Sequence, residues 1–175
     1  IDGNKSNFDS LAIESQRYNT KFTVIALAET NTDPECSNLY PLTGYNSFYQ
    51  NTIPDKRKGT GVALYICNTL SATVDGNTSH CTENLETLFV QIGAGNSSVT
   101  IGVLYRPPSG DLNIAISELS AILDNLPKSS YIAGDFNIDL HDKNSAIVQQ
   151  YEDLLFSKGF FPLISIPTHE KPGCK

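Results

Sequence analysis

Apolar residues in this chain are gathered into short, nearly unbroken runs, and that spacing limits what it can fold into. F-T-V-I-A-L-A-E at 22–29 is one such run, bounded on both sides by polar residues. A run that short and continuous reads as a strand with neither face in water. Further strand candidates lie at 61–67, 85–92, 99–105 and 130–136, with a last one from Phe160 to Ile166 before Pro167. Strands buried on both sides need a layer packed on each. Three segments carry helical spacing instead. Residues 5–18 place Phe8, Leu11 and Tyr18 on one side. Asp111 is the expected cap of a helix with the stripe Leu112, Ile116, Leu119, Leu123 and Leu126, closed by Pro127. Ser145 is the expected cap of another, carrying Ile147, Tyr151, Leu154 and Leu155, with Gly159 as its stop. Residues 31–60 read mostly as loop. Strands with interspersed helices and no repeat or linker give an α/β or α+β sandwich.

The 175 residues suit one domain with a proper core. No apolar run approaches the roughly 18 residues of a membrane span, so no membrane partner is expected. Ile1-Asp2-Gly3-Asn4 is neither a signal peptide nor an initiator start, and residues are expected ahead of it. A net charge of −7 argues against a broad nucleic-acid-coating surface. It leaves room for a small site in which a cation bridges acidic protein and anionic substrate. Cys36, Cys67, Cys81 and Cys174 are scattered without a C-x-x-C pair, which argues against zinc and for a reducing, intracellular compartment. Cys67 closes an apolar run and is expected to be a buried thiol.

The residues suited to chemistry stand at the ends of the apolar runs. After Tyr131-Ile132-Ala133, Gly134 drops its side chain where the strand ends. Extended backbone beyond it would put Asp135, Asn137 and Asp139 on one face and Phe136 and Ile138 on the other. Asp135 suits a base or metal ligand, and Asn137 a donor to a phosphoryl oxygen or a water. Taken alone, the segment reads more simply as a strand running into an Asx-turn. Glu29 closes its strand with a hard oxygen donor of the kind Mg²⁺ prefers, though a lone carboxylate there is usually just solvated. Tyr105 offers a neutral donor and Arg106 a fixed cation, both suited to phosphate. His80, His141 and His169 lack ligand spacing, and Lys56-Arg57-Lys58 reads as a solvated loop.

The order of these pieces says more than any one of them. L-A-E-T at 27–30, G-T-G-V-A-L-Y-I at 59–66, I-G-V-L-Y-R-P-P-S at 101–109, G-D-F-N-I-D-L at 134–140 and I-P-T at 166–168 follow one another along essentially the whole chain. The set resembles the endonuclease/exonuclease/phosphatase superfamily, and within it the endonuclease domain of non-LTR (LINE-type) retrotransposons. The resemblance implies a DNase I-like, four-layer α/β sandwich of two packed mixed sheets flanked by helices. It implies one domain over residues 1–175, with its first and last strands incomplete here. Glu29 would hold Mg²⁺, or Mn²⁺ in its place. Tyr105 would contact the scissile phosphate or assist the leaving group. Asp135 would align or deprotonate the attacking water, with Asn137 supporting that water and the phosphate oxygens. Arg106 and Thr168 would contact substrate.

The family pattern also has an Asn on its first strand and a closing Ser-Asp-His segment. Neither lies within these residues, so a further C-terminal segment of the same polyprotein is an expected partner. A clipped remainder, an unrecorded one and a degenerate copy that exchanges strands are the explanations left open. The implied activity is metal-dependent phosphodiester hydrolysis by a DNA-nicking, nuclear endonuclease when the domain is intact. A catalytically incomplete nucleic-acid- or protein-binding module on the same fold is the alternative. A phosphodiesterase acting on small molecules or lipids is the remote third.

Overall fold

Val62–Cys67 is the strand around which the first sheet is assembled. V-A-L-Y-I-C is apolar throughout, and Val62 to Ile66 are each at most 1% exposed. Both faces of this strand, β3, are therefore covered. It pairs antiparallel with β1 (Val24–Ala28) on one side and β2 (Tyr45–Gln50) on the other. The second sheet runs β4 (Ala72–Val74), β6 (Glu86–Ile92), β7 (Val99–Tyr105), β8 (Ser130–Asp135), with β5 (His80–Cys81) also on β6. It is mixed: β6 and β7 are antiparallel, β7 and β8 parallel. The structure is a computed structural model that describes residues 8–13, 17, 21–32, 40–50, 59–140, 142 and 144–164. The chain divides into two compact units, Ile1–Phe136 and Asn137–Lys175.

Strand alternation explains how the sheets of the first unit meet. Val62, Leu64 and Ile66 of β3 point one way and join Leu88, Val90, Val103 and Tyr105 of the second sheet in one core. Ala63 and Tyr65 point the other way and pack with Leu42 and with Phe8 and Ala12 of α1, which is helical over residues 8–13. The ring of Phe8 lies 5.3 Å from that of Tyr40 and 6.1 Å from that of Tyr65. Each large core side chain contributes on the order of 1.5–3 kcal/mol, so Leu64→Ala is expected to cost about 2–5 kcal/mol.

A parallel neighbour demands a crossover, and α2 (Leu112–Leu123) is the one between β7 and β8. Asp111 caps it as expected, its carboxylate accepting from the amides of Asn113 and Ile114. The helix buries Ala115, Ile116, Leu119, Ile122 and Leu123. Its Glu118 accepts a hydrogen bond from Thr82 at 2.9 Å, which ties it to the second sheet. In the second unit, α3 (Ala146–Ser157) buries Val148 and Tyr151 and stops at Gly159, whose φ of +78° is the left-handed turn glycine provides.

Several expectations are corrected. β2 lies inside the segment read as loop. Its sequence Y-N-S-F-Y-Q is too polar to signal a strand, and its stability comes from the ladder to β3. Phe160 to Ile164 form no strand: Phe161, Leu163 and Ile164 are 70%, 84% and 66% exposed, and among the described residues no strand pairs with them. Ser165 and Ile166 lie outside the described residues, as do Tyr18, the basic run 56–58, Cys36 and Cys174. Leu126 lies past the end of α2. Ser145 holds the cap position of α3 without a side-chain cap bond, and Val148, not Ile147, is the buried residue of its first turn. Cys67 is half-buried at the end of β3, its sulfur 3.2 Å from the Thr69 hydroxyl, because β3 reaches the sheet end there.

Candidate active site

The chemistry-bearing residues collect where three strands of the second sheet terminate together. Register sets Tyr105, the last residue of β7, beside Glu86, the first of antiparallel β6, and beside Asp135, the last of parallel β8. Residues side by side across strands share a face. For Tyr105 that is the inner face, since it belongs to the core between the sheets. Glu29 arrives from the first sheet, one residue beyond β1. The Tyr105 hydroxyl donates to its Oε1 at 2.6 Å.

Glu29 does not close its strand in extended conformation, as its run of apolar neighbours suggested. Its φ is +56°, with Asn31 at +50°. Left-handed backbone costs a non-glycine residue about 1–2 kcal/mol, and such strain persists only where surrounding bonds impose it. Here they do. Thr30 N–H donates to Gly61 O at 3.0 Å and Asn31 N–H to Thr60 O at 2.7 Å. The Asn31 side chain donates to Glu29 O at 3.0 Å and accepts from Gly59 N–H. Gly59 and Gly61 have φ of +83° and +91°, which only glycine adopts cheaply. The G-T-G of the sequence is thus the clamp that turns Glu29 toward Tyr105.

Glu86 holds the clamp from below. It is 2% exposed, and its Oε2 accepts the Gly61 N–H at 2.6 Å. Burial pushes its carboxyl above the usual carboxylate range. Hydrogen bonds from Gly61 and Cys81 oppose that shift and the Glu29 charge adds to it. Sequence reading missed this residue and Asn31. The available signal was one carboxylate opening an otherwise apolar strand, E-T-L-F-V.

Tyr105 is 1% exposed. Burial first, then the hydrogen bond to Glu29 and the charges of Glu29, Asp135 and Glu86, push its phenol above its ordinary value. It is therefore a neutral hydrogen-bond donor at physiological pH, neither a base nor a phenolate. Asp135 is exposed at the strand end.

Arg106 was expected to offer its charge to phosphate; it is 6% exposed instead. Its Nε donates to Phe136 O at 2.6 Å, and its Nη1 to Pro107 O and Gly110 O at 3.0 and 3.1 Å. The turn after β7 folds back over the guanidinium, and that is why it is covered. Asn137 opens the second unit with φ +49°, so the backbone does not continue extended. The exposure pattern expected of an extended run survives: Asp135, Asn137 and Asp139 are exposed, Phe136 and Ile138 half-buried. Thr168, His169 and His141 lie outside the described residues.

No group of three or more metal-ligating side chains occurs among the described residues. The donors present are nevertheless of the right kind for a hard cation. Mg²⁺ keeps several waters and usually takes only one or two carboxylates plus substrate phosphate. Glu29 and Asp135, both exposed and both acting on the Tyr105 phenol, fit that requirement.

Two packed sheets flanked by helices form a DNase I-like α/β sandwich. Among solved structures, the endonuclease domain of TRAS1, a telomere-specific non-LTR retrotransposon, is similar at a TM-score of 0.64 and 17% identity, over 87% of this chain and 64% of that one. The AP endonuclease LMAP of Leishmania major follows at 0.60 and 16%, over 88% and 62%. The human Nocturnin catalytic domain gives 0.54 and 17%, over 87% and 63%. The chain thus spans less than two thirds of each. No protein-family model and no curated protein matches the sequence.

Proposed function

We propose that this chain is part of a DNA-nicking endonuclease domain of a retrotransposon polyprotein, acting in the nucleus with Mg²⁺, or with Mn²⁺ in its place. The observation that carries the reading is the bond from Tyr105 to Glu29 beside Asp135, on a fold shared with nucleases. A phosphodiester resists attack because charge builds on phosphorus and on the leaving oxygen. When bound, the cation supplies Lewis-acid stabilisation of that charge. Glu29 would hold it, with its orientation fixed by Tyr105 and by the Gly59–Gly61 clamp. Tyr105, kept protonated by burial, donates its single O–H to Glu29, and would have to exchange that bond to contact the scissile phosphate. Asp135 aligns the attacking water or takes its proton, and Asn137 supports the water. Thr168 is assigned to substrate contact through its I-P-T segment.

The test is conversion of supercoiled plasmid to the nicked circle by the protein in its natural full-length form. Nicking that requires Mg²⁺ and disappears in Asp135→Ala is the expected result. Normal Mg²⁺ binding without nicking would overturn the proposal. Metal-independent DNA binding that Asp135→Ala leaves unchanged would assign the fold to a non-catalytic binding module.

A further inference from the structure

We propose that Arg106 is a positioning residue that fixes Asp135 at the end of β8, not a ligand for substrate phosphate. The inference rests on the reading that Asp135 acts on the substrate. β8 ends at Asp135, and among the described residues no strand pairs with the peptides that follow. Arg106 supplies the missing partners. Its backbone N–H takes Asp135 O at 2.9 Å, extending the β7–β8 ladder by one rung. Its Nε takes the next carbonyl, Phe136 O, at 2.6 Å, a short charge-assisted bond. Carbonyls on both sides of Phe136 are therefore bound to one residue. These two bonds fix the peptides around Phe136, and with them the direction in which the Asp135 side chain leaves the strand end.

The other end of the guanidinium gathers Pro107 O and Gly110 O, inside the turn that Gly110 N–H closes onto Pro107 O at 2.9 Å. One side chain thereby joins the turn after β7 to the end of β8. Three carbonyls at separate places match a rigid planar fork and not the single ammonium of lysine. At 6% exposure the group is poorly placed to meet a phosphate in solvent, while the carbonyls offset the desolvation of its charge.

Arg106→Lys and Arg106→Gln separate the two roles. A positioning role predicts that both lower kcat for plasmid nicking by about 10²-fold, the scale expected for a displacement near 1 Å. KM and its salt dependence stay within roughly twofold, since no uniform substrate contact is removed. A phosphate ligand predicts the opposite: KM rises in Arg106→Gln, recovers in Arg106→Lys, and the log–log salt slope falls by about 1. That result overturns the proposal. A second measurement needs neither activity nor a variant that folds. In the wild-type protein, the Arg106 Nε–H should show scalar coupling to the Phe136 carbonyl, unchanged on adding a short DNA duplex. Loss of that coupling on adding duplex, or its absence in the free protein, refutes the assignment. A wild-type protein that never nicks defeats the nuclease reading alone and leaves this second measurement to decide.

Discussion

Gly134→Ala should unfold the junction on which the candidate site depends. Gly134 lies opposite Leu104 in the parallel β7–β8 ladder. A Cβ placed there would sit 2.0 Å from Leu104 O, 2.8 Å from Leu104 C and 3.0 Å from Leu104 N. All three are backbone atoms, so no rotamer change removes the clash. Cβ contacts below 3.0 Å essentially never occur, so the strands must part by 3.0 − 2.0 = 1.0 Å at this point. Opening by that much takes an N–H···O bond of about 2.9 Å beyond its working range. Two or three rungs near Gly134 would go, at a net value of about 1 kcal/mol each plus the desolvation of groups left unpaired. The expected loss is about 2–4 kcal/mol, which in a chain of this size lowers Tm by roughly 4–16 °C. Thermal unfolding followed by circular dichroism measures it. Gly76→Ala is the control, because nothing lies within 4 Å of a Cβ there. Gly102→Ala is the informative comparison. Its obstacle is the Phe89 ring at 2.2 Å, a side chain that can shift, so the cost should stay near the 1–3 kcal/mol typical of overpacking. A Gly134→Ala protein that melts within about 2 °C of wild type would refute the reasoning.

Asp111→Ala removes two cap bonds from α2 and should cost about 1 kcal/mol, whereas Asp111→Asn keeps an acceptor and should cost much less. Equal melting temperatures for the two variants would count against the cap. Glu86→Gln tests the buried carboxyl in EDTA. Burial raises its folded pKa, so its stabilising contribution is full below the unfolded value of about 4.3 and is lost as pH rises through the folded value. The variant should therefore melt higher than wild type at pH 8 and about the same at pH 4. A difference independent of pH would contradict the shift. Tyr105→Phe removes the donor to Glu29 and should weaken Mg²⁺ binding about 10–100-fold by calorimetry, the range for lost outer-shell partners. Unchanged affinity would mean that Tyr105 does not orient Glu29.

The fold was legible where burial on both faces forces a strand to be apolar throughout, although the apolar runs of β1 and β8 overstated their burial: β1 is half-buried along its length and β8 mostly exposed. V-A-L-Y-I-C and V-T-I-G-V-L-Y announce β3 and β7 because each is sandwiched. The same reasoning overlooked β2, a half-exposed strand whose stability comes from β3. It also placed a strand after Gly159, where Phe160 to Ile164 find no ladder among the described residues. Helix α2 could be read because its cap and stripe are local. Both errors concern partners, which composition does not record.

The candidate site shows the same division. Glu29, Tyr105 and Asp135 could be picked out because each ends an apolar run, but Glu86 begins one and gave no comparable sign. β6 runs antiparallel to β7 while β8 runs parallel, so the first residue of β6 meets the last residues of β7 and β8 at one edge. A one-residue slip in the β6–β7 register would send Glu86 to the opposite face and release Gly61, and with it the turn that presents Glu29. The segment G-D-F-N alone reads as a turn, and its backbone does turn: β8 ends at Asp135 and Asn137 is left-handed. What distinguishes it from any other turn is the strand beside it. Gly134 lets β7 approach within the space of a methyl group, and that approach sets Asp135 next to Tyr105.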